Sequence, residues 1–449
     1  MNRNLLAPTL GTLVSGALFL GAPSARAQDV KLNAIVDLWY TQALDSNLRT
    51  NTPAKYYNLN SAFQENGFTV RRSEIYLSGK ISDELTYNVM FDPNIATTTA
   101  PNSLQDAFIT YKPAPWFSLQ AGQFKPLQTY EASLVGVKDL YFYDRSQLAR
   151  VIGDKRDRGI VAGFGFGSGD DFAGKFSLGL TNGTSDKDGG KSVDANAQKD
   201  LVSRLEFSLG KTQKFGIYGR WGSTDGKDAG SLNANAFAYA GADGPANAAI
   251  LDGKDKTTNL GVYYALDTEH WIAQFEAVTG LLGRRYPSVG IADIPATTKV
   301  TTNADGSTTV TGVPAKASAA GREYLDQKYL GYVLTGGYKF GSHAIVARYD
   351  VFNYNQGGDY YGAFNPYTNV IDAKTGLATS ALTGADYSPK FTELVLGWNY
   401  TFTPSKWTLA NFKLDYIHRS KNFLKANTAL GQTTEQGGDS LVAVLQVAF

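Results

Sequence analysis

The chain has 449 residues, with 47 Gly, 26 Tyr, 24 Phe, 6 Trp, no Cys and a formal net charge of +1. The balanced charge argues against a nucleic-acid binder, and the lack of Cys rules out a disulfide scaffold. A soluble chain of this length often splits into two domains, yet no Pro/Ser-rich linker divides this one.

At the N-terminus, Arg3 opens a short basic region, an apolar run reaches about Leu20, and Ala25-Arg26-Ala27 matches a small-x-small cleavage site. This predicts a secretory signal peptide over 1–27 and a mature chain from Gln28 to Phe449. Removing Arg3 and Arg26 leaves 40 basic against 41 acidic side chains. Past Ala27 no stretch approaches the ~20 apolar residues of a membrane-spanning helix.

The remainder alternates with period two. In "ELTYNVMF", Leu85, Tyr87, Val89 and Phe91 share one face, and Thr86, Asn88 and Met90 the other. "KFSLGLT" sets Phe176, Leu178 and Leu180 against Lys175, Ser177 and Gly179. "FTELVLGWNYTF" sets Leu394, Leu396, Trp398, Tyr400 and Phe402 against Glu393, Val395, Gly397, Asn399 and Thr401. Such runs predict about sixteen strands, near 30–40, 67–80, 84–92, 103–112, 115–124, 158–167, 173–182, 200–209, 214–223, 257–266, 270–280, 329–340, 343–353, 390–402, 407–419 and 438–449.

Long and short connections alternate, so the short turns gather at one end of the sheet and the long loops at the other. An even strand count brings both termini to the short-turn end. The predicted fold is all-β: a transmembrane antiparallel barrel over 28–449 with short periplasmic turns and long outer loops. In lipid every backbone polar group must be paired internally, so without a helical span the sheet must close on itself. The last strand, "GDSLVAVLQVAF", then pairs with the first. Its outward face carries Leu441, Ala443, Leu445, Val447 and Phe449. The long polar loop at 291–320 is expected to be exposed and dispensable.

Three stretches between Gly67 and Gly167 resemble the phosphate-selective porin O/P family: "FTVRRSEIYLSGKISDELTYNVMFD", "LQDAFITYKPAPWFSLQAGQFKPLQTYE" and "YDRSQLARVIGDKRDRGI". The resemblance implies a sixteen-stranded, trimeric outer-membrane barrel whose third loop folds inward, here 125–157, and lines the pore with basic residues. It implies passage of phosphate or polyphosphate in some members. It also implies that the terminal Phe449 is read by the barrel assembly machinery. Outer-membrane lipid and lipopolysaccharide are the expected surroundings, small anionic or neutral solutes the expected cargo, and no nucleic acid is expected.

Segment 125–158 carries seven cations, Lys125, Lys138, Arg145, Arg150, Lys155, Arg156 and Arg158, against five acids, Glu131, Asp139, Asp144, Asp154 and Asp157. Two readings follow. Charged side chains at a constriction set the sign of the ion that passes; alternatively, these charges pair with one another and pin the loop to the wall. Lys125 and Arg145 resemble family positions in "GQFKP" and "YDRS". As residues facing a wet lumen, they are expected to tolerate substitution without loss of stability.

On the wall, Arg72, Lys80, Arg204, Arg220, Arg348 and Lys413 oppose apolar faces and are expected to point into the lumen. Several have an acid two residues away on the same face, which also suits mild anion preference or general diffusion. Trp39, Tyr40, Trp116, Phe117, Trp221, Trp271, Trp398, Tyr400 and Trp407 lie near strand ends and are expected in interfacial girdles.

His270 and His343 fall at periplasmic turns and His418 near the outer rim. They cannot converge, and no nucleophile elbow, metal cluster or phosphate loop is present. The expected function is therefore an outer-membrane porin without catalytic site, metal or cofactor, passing small hydrophilic solutes with anions such as phosphate favoured. The alternatives are a general or carbohydrate porin, or a non-conducting binding or adhesion barrel.

Overall fold

A computed structural model describes residues 28–44, 66–95, 103–154, 156–168, 171–183, 199–224, 255–285, 325–353, 390–403, 409–427 and 432–449, with short pieces between 293 and 379. Segment 1–27, where a signal peptide is expected, Lys155, Trp407 and most of the loop at 291–320 lie outside the described residues. Within that loop, Thr297–Thr302 pairs with Thr308–Val313 as a small hairpin.

Sixteen strands form one closed barrel in chain order. They are β1 (Gln28–Ala43), β2 (Gly67–Lys80), β3 (Leu85–Phe91), β4 (Leu104–Ala114), β5 (Phe117–Phe124), β6 (Asp157–Ser168), β7 (Phe172–Thr181) and β8 (Asp200–Leu209). Then follow β9 (Gln213–Thr224), β10 (Asp255–Asp267), β11 (Trp271–Arg285), β12 (Leu325–Phe340), β13 (His343–Asn353), β14 (Lys390–Thr401), β15 (Ala410–Asn427) and β16 (Gln432–Ala448). Every neighbouring pair is antiparallel, and β16 closes on β1 from Ile35↔Ala448 to Ala43↔Ser440. The final residue takes part in closure: Phe449 N–H donates to Ala34 O at 3.0 Å, and Ala34 N–H donates to Phe449 O at 2.7 Å.

The two faces of the sheet are chemically distinct. On β1, Ile35, Asp37, Trp39 and Thr41 are buried inside, whereas Val36, Leu38 and Tyr40 are exposed outside. On β16, Val442, Val444 and Gln446 face in, and Leu445, Val447 and Phe449 face out. Among the described residues no helix is long and apolar enough to cross a membrane. The spanning structure is the barrel, in which each backbone ladder is satisfied by its neighbours. The tight turns after β8 and β12 use Gly210 and Gly341 at φ 57° and 58°, where a Cβ would be strained.

Two expectations change. Trp39 is not in a girdle: it is fully buried inside the barrel, edge-on to Tyr143 with ring centroids 5.5 Å apart. A bulge between Asp37 and Leu38 leaves Arg71 as the extra residue opposite them. The guanidinium carbons of Arg71 and Arg72 then lie 5.4 and 5.9 Å from the Trp39 ring. Trp116, Trp221, Trp271 and Trp398 are exposed on the outer face, as girdle residues are. Second, β15 and β16 continue past 419 and begin before 438, pairing as far as Asn427↔Gln432 with a register shift between Arg419 and Phe423.

Candidate functional site

The segment between β5 and β6 is built from short turns with side-chain caps. Thr129, at φ 51°, caps α1 (Tyr130–Ser133), its hydroxyl accepting from Ala132 N–H at 3.3 Å. A 3₁₀ turn spans Val137–Asp139. Ser146 caps α2 (Gln147–Ile152), accepting from Ala149 N–H at 3.2 Å. Neither helix is stable alone at this length. Their apolar side chains supply the order: Phe142, Tyr143, Leu148, Val151 and Ile152 form one cluster with inward residues of β9 to β16 and β1, including Trp39, Phe352, Phe391 and Val442. Because those partners are on the inward face, the segment lies inside the barrel.

Wall carboxylates hold its backbone. Glu276 on β11 accepts from Tyr130 N–H at 2.7 Å, and Asp415 on β15 accepts from Tyr143 N–H at 2.6 Å. Asp350 on β13 accepts from Gln147 N–H. Wall arginines complete the attachment. Arg72 reaches Asp144 at 2.6 Å and Asp37 at 3.1 Å. Arg348 donates to Asp144 O at 2.8 Å and to Glu393 at 3.1 Å. Arg419 donates to Glu393 at 2.9 Å and to the Tyr143 hydroxyl at 3.1 Å. These groups are buried, so each satisfied partner matters: leaving one unpaired costs the full desolvation of the other.

The structure places most candidate cations in pairs. Arg145 is 3 % exposed; it donates to Glu131 O at 3.2 Å and Val135 O at 3.1 Å, and lies 3.4 Å from Asp154. It staples the segment to itself, so the expectation that its replacement leaves stability untouched is corrected. Lys125 pairs with the same Asp154 at 2.5 Å. Burial, then the charge of Arg145, pushes the Lys125 ammonium down to about 8. Burial would raise Asp154, but Arg145, Lys125 and Arg156 outweigh it and hold the carboxyl well below its ordinary range.

Arg150 lies 3.5 Å from Glu393, and Arg156 lies 3.1 Å from Asp106 and donates to Gln105 at 2.6 Å. Lys138 is exposed beside Asp139 at 2.9 Å. Arg158 is a correction: it shares the strand face of exposed Ile160, Phe164 and Phe166, which is the outer one, and does not line the pore. Among the wall candidates, Arg204 pairs with Glu206 at 2.9 Å and donates to Ser133 at 2.6 Å, and Arg220 pairs with Asp200. Lys413 is 3 % exposed and Lys80 is exposed near the short-turn end.

Away from the segment's anchors, parts of the inner face of β4 to β10 border open space. Three cavities follow one another there, of about 310, 230 and 340 Å³. The first is lined by Lys125, Lys175 and Arg204, and the second by Lys175 and Lys214. The third is lined by Lys214, Lys211 and Lys138. Lys175 is shared by the first two and Lys214 by the last two. Neither lysine makes an ion pair among the described residues. Neither is among the candidate pore residues, although Lys175 stands on the polar parity of its strand. The available signal was that parity; a family motif marked neither.

Residues 49–449 match the family described as phosphate-selective porin O and P. No curated protein matches the chain. Among solved structures, the outer membrane channel DcaP of Acinetobacter baumannii is 12% identical, with 94% of this chain and 97% of that one covered and a TM-score of 0.48. OmpT of Vibrio cholerae in its trimer form is 11% identical, covering 94% and 100%, with a TM-score of 0.48. An anion-selective porin from Comamonas acidovorans is 10% identical, covering 94% and 99%, with a TM-score of 0.46.

Proposed function

This chain belongs to the phosphate-selective porin O and P family, and from that premise we propose that its lumen favours small anions, phosphate among them. The protein is an outer-membrane β-barrel porin, a channel rather than an enzyme. Solutes cross it by diffusion, so selectivity is a matter of barrier height along the lumen.

The observation that carries the anion preference is the unneutralised charge on the open wall. Lys175 and Lys214 face the cavities without an ion pair among the described residues. The arginines opposite are consumed in holding the internal segment. A narrow passage between low-dielectric walls focuses the field of its fixed charges, which lowers the barrier for the opposite sign. Around the first cavity, Thr110, Ser118 and Ser177 add hydroxyl donors to Lys125, Lys175 and Arg204, enough to replace part of an oxyanion's water. Segment 125–157 acts as the constriction by filling the other side.

The reading extends to assembly: a homotrimer inserted by the barrel assembly machinery, which recognises Phe449, with lipid and lipopolysaccharide against the apolar outer face. The exposed outward Leu445, Val447 and Phe449 support it.

The test is a planar-bilayer record of the purified protein in a potassium chloride gradient. The expected reversal potential has the sign of anion preference, and added phosphate reduces the chloride current. A potential near zero would make this a general porin, and no conductance would make it a binding barrel.

A further inference from the structure

We propose that the lane past Lys175 and Lys214 prefers organic anions that carry an apolar body, an aromatic monocarboxylate being the simplest, over hydrophilic anions of equal charge. This rests on the anion-porin reading and names its substrate class more closely.

The three cavities are two-faced throughout. In the first, Phe124 and Val161 are buried at 3 and 8 % exposure, and Phe108 meets Phe124 edge-on at 6.4 Å. Leu127 of the internal segment completes that apolar side, across from Lys175 and Arg204. In the second, Leu134 of the segment and Tyr263 of β10 stand against Lys175 and Lys214. Tyr263 is held flat by Tyr130, with ring centroids 5.0 Å apart at 25°. Leu134 continues into the third cavity, where Tyr130, Leu140 and Phe142 join it together with Lys214, Lys211 and the acids Glu131, Asp139 and Asp267. One molecule moving along the lane therefore meets ammonium groups and aliphatic or aromatic groups together at every stage, and the acids of the lining are each engaged by a cation: Asp106 by Arg156, Glu206 by Arg204, Glu131 by Arg348, Asp139 by Lys138 and Asp267 by Lys339.

That arrangement is wasteful for a fully hydrated ion. A phosphate or acetate gains the lysines but must shed water against an apolar flank that returns no hydrogen bond. A benzoate gains the same lysines and removes apolar surface from water on both its ring and the wall. Each cavity has room for a single ring with its carboxylate, and the shared lysines pass the head group from one cavity to the next.

The experiment uses the full-length protein in a planar bilayer under bi-ionic conditions, with chloride on one side and benzoate, acetate or dihydrogen phosphate on the other. In water benzoate diffuses more slowly than acetate, so a featureless pore passes acetate faster. Here benzoate is expected to be at least about threefold more permeant than acetate. Leu134→Ser should bring that ratio to one or below with chloride preference over potassium kept. Lys175→Gln should reduce all anions together. Should Leu134→Ser lose the folded barrel, Leu127→Ser and block of chloride current by benzoate read the same flank. Benzoate no more permeant than acetate in a channel that still prefers anions overturns this inference alone. Cation preference overturns it together with the reading on which it rests.

Discussion

The two sides of the lumen use the same kinds of side chain to opposite ends. From β11 through β16 to β1, inward charges are buried and spoken for: Glu276, Asp350 and Asp415 accept backbone N–H groups of the internal segment, and Arg72, Arg348 and Arg419 pair with acids. From β4 to β9, Arg204 and Arg220 pair with Glu206 and Asp200, whereas Lys175 and Lys214 stand at cavities with no acid partner among the described residues. A charge on the wall of a barrel is therefore not by itself a pore charge. Its role depends on whether something has been folded against it: on the open side the lining acids Asp106 and Glu206 pair with Arg156 and Arg204, and Lys175 and Lys214 stand outside those pairs.

The comparison breaks most visibly at Glu393. This residue is fully buried and is approached by Arg348 at 3.1 Å, Arg419 at 2.9 Å and Arg150 at 3.5 Å. Glu393→Ala leaves three cations without their carboxylate, so the segment's docking should lose about 3–5 kcal/mol. The expected outcome is a barrel that still inserts but conducts several-fold more, with lowered resistance to thermal unfolding. Unchanged conductance would mean that the segment does not narrow the pore.

Arg145→Glu and Lys175→Glu sharpen the same contrast. Arg145 is buried on two carbonyls, so its reversal should destabilise the segment by about 2 kcal/mol or more, visible as a lower melting temperature. Lys175 faces open space, so its reversal should leave melting unchanged and shift the reversal potential toward cations. Equal thermal effects would erase the distinction between the two sides.

Deleting Phe449 removes two backbone hydrogen bonds of the closing strand pair and the terminal aromatic. Folded protein in the outer membrane should fall several-fold, whereas removing the Thr297–Thr302 and Thr308–Val313 hairpin should be tolerated. Comparable losses from the two deletions would sink the assembly reading.

A smaller effect is expected from pH. Lys125 sits near about 8, so its charge is present below that pH and lost above it. Raising the pH from about 7 to about 9 uncovers Asp154 and should weaken anion preference modestly. In Lys125→Gln that dependence should vanish.

Strand positions were legible because period-two alternation is written into each run and lipid leaves no freedom to ignore it; β2 and β13 lie where the pattern placed them. The extended ends of β15 and β16 were not, since "LKANTALGQTTEQGGD" has no apolar alternation once the hairpin pairs beyond the short runs read at 407–419 and 438–449. Trp39 and Arg158 were legible in principle. Trp39 shares parity with Asp37 and Thr41, and Arg158 with Ile160 and Phe164; strand neighbours, rather than residue type, fix the face of each. The anchors of the segment were beyond reach, because Glu276, Asp350 and Asp415 are more than a hundred residues away from the N–H groups they hold, and one sequence carries no trace of such pairing. The cations of 125–156 have partners of both kinds: Arg145 is held by groups of its own segment, and Arg150 lies by the distant Glu393.

The most direct measurement is the reversal potential of Lys175→Glu/Lys214→Glu beside the unaltered protein, in a potassium chloride gradient and with folding checked by melting. The open-wall assignment predicts anion preference in the unaltered channel and cation preference in the double variant at the same melting temperature. An unchanged reversal potential in a folded, inserted double variant would contradict it and return the selecting charge to the packed side.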